Sequence, residues 1–362
     1  MPRVTLQTIA DDLGVSRSTV SNAFGRPDQL SDALRSRILM RARELGFSGP
    51  DPMARGLRRG RVGAVGVLVD QGLSYAFSDP AMVTYLDGLA SELHVGGFGL
   101  LLHYGTGVRA DAELISRSAV DAWVIASLPR DNPSVEAALA QNRPLVVLDQ
   151  PVLPDVPVIR MDDEGGAASA ASHLLQLGHR RLGVLTTPLQ PDGYQGRADT
   201  KREERARYDV ASDRLVGIRR ATTAAGVAWS EVPVVECAVN DVDTGALGAW
   251  ELLTLDNPPT GVIALSDPLA IGALRAAEEL DVSVPSSLSV VGFDDIPAAA
   301  STTPPLTTVS QPRYLRGQLA GAVVRRLLNA QPTETPAAMS VELLVRDSTG
   351  PPPASVATAS DG

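Results

Sequence analysis

The sequence predicts an α/β protein: an N-terminal three-helix helix-turn-helix head joined to a larger body of two parallel sheets wrapped by helices. Three observations carry this. The first 50 residues hold capped helical stripes and a tight Gly turn. From Val62 onward, short apolar runs alternate with amphipathic stretches of helical length. The charge divides at the same place. Residues 1–61 contain eleven Arg and six acidic residues, a net +5, which leaves 21 basic and 36 acidic residues in the remainder, a net −15. A basic head on an acidic body points to nucleic acid at one end only.

The 362 residues suffice for about two to three domains. The composition, 44% hydrophobic and 20% charged, fits a buried core, and with only 4% aromatics that core must rest on Leu, Val, Ile and Ala. No apolar run approaches the ~20 residues that span a bilayer. Met1–Ala10 lacks an apolar export segment. The single cysteine, Cys237, reads as a small buried hydrophobe in a reducing compartment. A cytoplasmic protein is expected.

In the head, Leu6, Ile9, Ala10 and Leu13 form one helical stripe after Thr5, an N-cap residue type. Gly14 permits the turn, and Ser16 caps a second helix over Arg17–Phe24, with Val15, Val20 and Phe24 inward. Ser31 starts a third helix that buries Leu34, Ile38, Ala42 and Leu45 and stops at Gly46. Residues 48–61 are a linker rich in Pro, Gly and Arg.

In the body the strand candidates are Val62–Val69, Leu100–His103, Ala122–Ala126, Leu145–Leu148, Leu182–Leu185, Val232–Cys237, Val262–Leu265 and Leu288–Phe293. Helical stretches between them include Ala81–Leu93, Ala167–Leu177, Leu215–Ala225, Gly245–Leu255 and Pro268–Leu280. The body is long enough for two sheets with a crevice between them. Pro188–Asp213 breaks the rhythm as a long charged stretch, a surface insertion or a short solvated helix. Residues 347–362 read as a disordered tail.

In a helix-turn-helix the second helix enters the major groove, and its N-terminal side chains reach base edges. Here these are Arg17, Ser18 and Asn22. Arg grips guanine bidentately, and Asn does the same to adenine. The hydroxyls of Thr5, Ser16, Thr19, Ser21 and Ser31 suit phosphate contacts; each singly also reads as a cap or solvated surface.

The run VTLQTIADDLGVSRSTVSNAF resembles the head of the lactose-repressor/galactose-repressor family of bacterial transcription regulators. HLLQLGHRRLGVL, ALSDPLAIGALRAAEEL, VPSSLSVVGFDD, PPLTTVSQP and VRDST resemble that family's signatures in the same order, across roughly residues 3–349 apart from the charged stretch. The resemblance implies that Pro52–Arg59 is a hinge that folds on DNA and enters the minor groove. Leu57 would wedge between base steps, Ala54 would lie against the groove, and Arg55, Arg58 and Arg59 would face phosphates. Gly56 departs from a good hinge helix and costs about 1 kcal/mol of propensity.

The resemblance further implies a periplasmic-binding-protein-like body in two lobes over residues 62–346. One lobe would take about 62–161 and 294–323, the other 162–292 and 324–346. A small-molecule effector would sit between them. By position, its candidates are Tyr75, Phe77, Asp79, Asp149, Arg214, Ser266, Asp294, Gln311 and Arg313. Paired acids and a forked Arg suit a polyhydroxylated ligand, a sugar or sugar derivative, and aromatic faces suit a ring. Loop SYAFSDP differs from the family's commoner form, which leaves a nucleoside or other non-sugar effector open.

The four histidines have no metal-ligand spacing, and there is no P-loop and no G-x-S-x-G. No cofactor, metal or enzymatic activity is expected. The reading is a homodimeric repressor on a near-palindromic DNA operator under effector control. An activator or a corepressor-dependent regulator would keep the same residues. A transport binding protein would need an export signal and no helix-turn-helix.

Overall fold

A computed structural model describes residues 4–49, 61–70 and 72–353. The expected minor-groove residues Ala54, Arg55, Leu57 and Arg58 lie outside the described residues, as does the rest of the hinge motif. The chain divides into two compact units, Met1–Gly63 and Ala64–Gly362.

The first unit holds three helices, α1 (Leu6–Leu13), α2 (Arg17–Gly25) and α3 (Asp32–Glu44). Each starts at the expected cap. The Thr5 hydroxyl accepts from the Thr8 amide at 3.2 Å, and the Thr8 hydroxyl accepts from the Thr5 amide at 3.2 Å. This reciprocal box satisfies donors that a helix start otherwise leaves open. Ser16 and Ser31 accept from the Thr19 and Leu34 amides. Gly14 takes φ +67°, a left-handed turn that L side chains resist. Leu6, Ile9, Ala10, Val20, Ala23, Ile38 and Ala42 form the core, with Val15 and Phe24 packed against it half-buried.

The second unit begins with five parallel strands: β1 (Ala64–Val69), β2 (Gly99–Tyr104), β3 (Ala122–Ala126), β4 (Leu145–Leu148) and β5 (Val158–Ile159). Helices α4 (Leu73–Ser78), α5 (Pro80–Val95), α6 (Arg109–Ser116) and α7 (Pro133–Ala140) connect them. The strand order is 2-1-3-4-5. The second lobe follows with α8 (Asp163–Gln176), β6 (Leu182–Thr186), β7 (Gly196–Arg197), α9 (Thr200–Glu204), α10 (Asp209–Ala224), β8 (Val234–Glu236), α11 (Val242–Leu253), β9 (Gly261–Ala264), α12 (Asp267–Glu279), β10 (Ser289–Asp294) and β11 (Thr307–Ser310). Helix α13 (Arg313–Leu328) follows, then β12 (Glu342–Leu344). The second sheet runs 12-11-10-9-6-8-7, with antiparallel edges at β12 and β7.

The lobe boundaries differ from the expectation. The chain does not return to the first lobe at Asp294, because β11 pairs with β10 in the second sheet. The return starts after Ser310, and α13 stays in the first lobe to Leu328, so that lobe does not end at 323. Its Ala320, Val323 and Val324 pack with Val65, Val67 and Leu89. The two helix backbones fit because glycines stand at their closest approach. A Cβ on Gly317 would stand 2.2 Å from the Tyr85 carbonyl, and one on Gly88 2.1 Å from that of Tyr314.

Residues 348–350 are built into the second lobe rather than a disordered tail, and residues 354–362 lie outside the described residues. Ser348 is fully buried; its hydroxyl donates to the Val290 carbonyl at 2.6 Å and accepts from the Thr307 amide at 2.8 Å. The imidazole of buried His179 joins Thr260, Ser289 and the Gly350 carbonyl. Burial lowers its pKa, so a neutral ring acts as a core bridge. Residues 188–213 are also more than a solvated insertion. Arg202 pairs there with Asp192 and with Glu236, whose side chain is fully buried at the end of β8. Burial pushes the Cys237 thiol up to about 12, which leaves it unreactive. No helix among the described residues is long and apolar enough to cross a membrane.

Candidate functional site

Ligands of open α/β sheets bind beyond the carboxyl ends of the strands, where the strand order reverses. That rule locates the cleft here. Val69 ends β1 and Asp70 follows it, Ser127 follows β3 and Asp149 follows β4. From the second lobe come Thr187 after β6, Ser266 after β9, Asp294 at the end of β10 and Gln311 after β11. All of them line one cavity of about 210 Å³. Ser127, Asp149 and Asp294 take φ of +58°, +58° and +127°. Non-glycine residues at such φ carry backbone strain, which persists only where the surroundings enforce it.

Seven of the nine expected effector residues meet at this cavity: Asp79, Asp149, Arg214, Ser266, Asp294, Gln311 and Arg313. Phe77 does not; it is 67% exposed and absent from the lining, because α4 turns it outward. The Tyr75 side chain lies outside the described ones.

Arg214 organises the second-lobe wall. Its Nε donates to Asp163 at 2.8 Å, its guanidinium stacks 3.7 Å from the Phe293 ring centre, and it approaches Asp294 at 3.8 Å. Arg313 pairs with Asp294, and the Gln311 amide donates to Asp294 at 2.9 Å. Burial still pushes the Asp294 carboxyl up to about 7, against the pull of Arg313 and Arg214. Burial likewise raises Asp163, with Arg214 opposing. Ser266 caps α12, and its hydroxyl donates to Asn240.

The first-lobe wall is built differently. Asp149 pairs with Arg316 and accepts from the Ser127 hydroxyl at 2.6 Å. Burial opposes its ionisation, but Arg316 and these hydrogen bonds win and hold it below the usual range. Asp70 accepts from the Tyr208 hydroxyl across the cleft at 2.8 Å, and burial raises it to about 6. Asp79 caps α5 by accepting from the Ala81 amide.

Asp70, Asp163, Tyr208, Asn240 and Arg316 line the cavity but escape the sequence reading. Asp70 was findable as the residue after an apolar strand. Asp163 was visible in the acidic pair with Asp162, which on its own carries no chemistry. Arg316 and Tyr208 depend on which helix faces the cleft, and no local signal gives that.

The head places the three candidate base-reading residues on α2. Arg17 and Ser18 are exposed at the start of α2, and Asn22 is half-buried with its amide donating to Gln29 at 3.2 Å. Thr5, Ser16 and Ser31 sit at the three helix starts as caps, and Thr19 and Ser21 are half-buried on α2.

A helix-turn-helix head with a two-lobed, ligand-cleft body defines a class of ligand-binding-type regulators. Residues 171–349 match a periplasmic binding protein-like domain. Over 357 residues the chain is 38% identical to the HTH-type transcriptional regulator Rv3575c of Mycobacterium tuberculosis, covering 97% of this chain and 98% of that one. A LacI-family transcriptional regulator structure from Corynebacterium glutamicum superposes with TM-score 0.74 at 33% identity, covering 97% and 99% of the two chains. A CelR–cellobiose complex superposes with TM-score 0.70 at 27% identity, covering 96% and 100%. The chain belongs to the LacI/GalR family of DNA-binding transcriptional regulators.

Proposed function

We propose that the protein is a homodimeric repressor that binds a near-palindromic DNA operator and is controlled by a small hydroxyl-rich effector in the interlobe cleft. The observation that carries this is the cleft itself. Seven residues expected from position alone converge on one cavity, lined by carboxylates and forked guanidiniums. Such groups bind hydroxyls in pairs, as a sugar requires. The CelR complex with cellobiose supports a carbohydrate reading.

On DNA, Arg17, Ser18 and Asn22 read base edges. Thr5, Ser16, Thr19, Ser21 and Ser31 hold phosphates. A capping hydroxyl that accepts from an amide keeps its own proton to donate, so caps and phosphate contacts are compatible. Ala54, Arg55, Leu57 and Arg58 form the minor-groove hinge. Effector binding shifts the lobes and weakens the grip, which requires tighter effector binding to the DNA-free state.

The test is operator binding by the purified protein, using DNA upstream of its own and adjacent genes, with sugars and nucleosides added. A bound palindrome released by one compound supports repression with induction. Binding only in the presence of a compound replaces the inducer by a corepressor. Absence of specific binding at moderate salt removes the base-reading roles.

A further inference from the structure

The cleft contains polar atoms that no described group satisfies. The Tyr85 hydroxyl and the Nε–H groups of Arg313 and Arg316 are buried without a hydrogen-bond partner among the described residues, and all three residues line the cavity. Tyr85 is 4% and Arg316 7% exposed. Burying such a group without a partner forfeits its hydration for nothing, so a native structure that keeps one calls for an explanation. A ligand atom supplies it.

Tyr85 and Arg316 belong to one place. They sit on α5 and α13, at the crossing where Gly317 lets the Tyr85 backbone approach. The far end of the Arg316 fork is engaged by Asp149, which Ser127 holds in turn. Its charge is therefore matched, while its Nε–H still needs an acceptor. The phenol beside it can donate or accept. A ligand hydroxyl answers both: its lone pairs take the Nε–H, and its proton or second lone pair engages Tyr85.

The charge balance narrows the ligand further. The cavity is lined by five aspartates and three arginines, and each arginine is paired with an aspartate. A phosphate ester would bring further negative charge to a lining whose three arginines are each already held by a carboxylate. We infer that Tyr85 and Arg316 form a hydroxyl-reading subsite on the first-lobe wall, which takes an uncharged polyhydroxylated ligand and rejects its phosphate ester. The inference rests on the reading of the cleft as an effector site.

The experiment is calorimetric titration of the full-length protein with D-ribose, D-glucose, cellobiose, ribose 5-phosphate and glucose 6-phosphate, in wild type and Tyr85→Phe. At least one uncharged sugar is expected to bind, and Tyr85→Phe is expected to weaken it about five- to tenfold, the worth of one lost hydrogen bond. The thermal midpoint of the unliganded variant is expected to hold or rise, since an unpartnered hydroxyl is gone. That opposition, tighter fold and weaker binding, separates ligand reading from a structural role. Unchanged sugar affinity in the variant overturns the subsite and leaves the cleft reading intact. A fall in the unliganded midpoint shows a structural partner and also overturns it, as does binding of the phosphate esters alone. Failure of every probe in wild type removes the sugar reading of the cleft, and the subsite with it.

Discussion

The head and the cleft hold their candidate functional side chains in opposite ways. On the head, Arg17 and Ser18 stand in solvent, and the seven-residue core beneath them does not involve them. In the cleft, Arg214, Asp163 and Asp294 are at most 8% exposed and lean on one another. The difference follows from the partner. A large polyanion comes to an exposed surface, and its phosphates supply much of the binding energy. A small molecule must be surrounded, so its contacts are buried and must be held in place before it arrives. Function and stability therefore separate on the head and merge in the cleft.

The sharpest way to break that comparison is Arg214→Met. It leaves Asp163 buried without its guanidinium partner, while Asp294 keeps Arg313. Stranding a buried charge costs about 3–5 kcal/mol, and urea unfolding of the body should register that loss. A cost below about 1 kcal/mol would mean that the cleft pairs are solvated like surface pairs. On the head, Arg17→Ala should cost about 1–3 kcal/mol in affinity for operator DNA, read by fluorescence anisotropy. Its unfolding free energy should stay within about 0.5 kcal/mol of wild type. Thr5→Ala tests the boundary between the two regimes, since Thr5 is both cap and proposed phosphate contact. The lost cap should cost about 1 kcal/mol of head stability, read by thermal unfolding.

The same contrast governs what the sequence discloses. Head structure is local: 3.6-residue spacing gives the inward faces, and Thr5, Ser16 and Ser31 mark the helix starts as they stand. Strand ends are nearly as legible, so Asp149, Ser266, Asp294 and Gln311 fall in the cavity as expected. Pairing across the cleft is not local. Asp70 meets Tyr208 over 138 residues of chain, and Arg316 meets Asp149 over 167. Nothing in LVDQG or LRGQ states those partners. The tail misleads for a related reason. Its composition reads as disorder, yet Ser348 and Gly350 supply hydrogen bonds that buried Ser289, Thr307 and His179 need.

Asp70 offers the subtlest sharpening of the comparison, because its buried carboxyl faces a phenol rather than a guanidinium. Burial raises its carboxyl to about 6, and the Tyr208 hydrogen bond only partly offsets that. The folded state then keeps a proton that the unfolded chain, titrating near 4, gives up. Asp70 therefore contributes stability that is full below about pH 4 and is lost as pH rises through about 6. Asp70→Asn fixes the neutral form and can still accept from Tyr208. Its thermal midpoint should match wild type near pH 4 and exceed it above pH 7. Fully expressed, the effect would approach about 3 kcal/mol; with Asp70 still partly open to water, about 1 kcal/mol is expected. Parallel melting curves for the two proteins from pH 4 to 8 would place Asp70 with the exposed residues of the head, and the division between the regions would then run through the cleft itself.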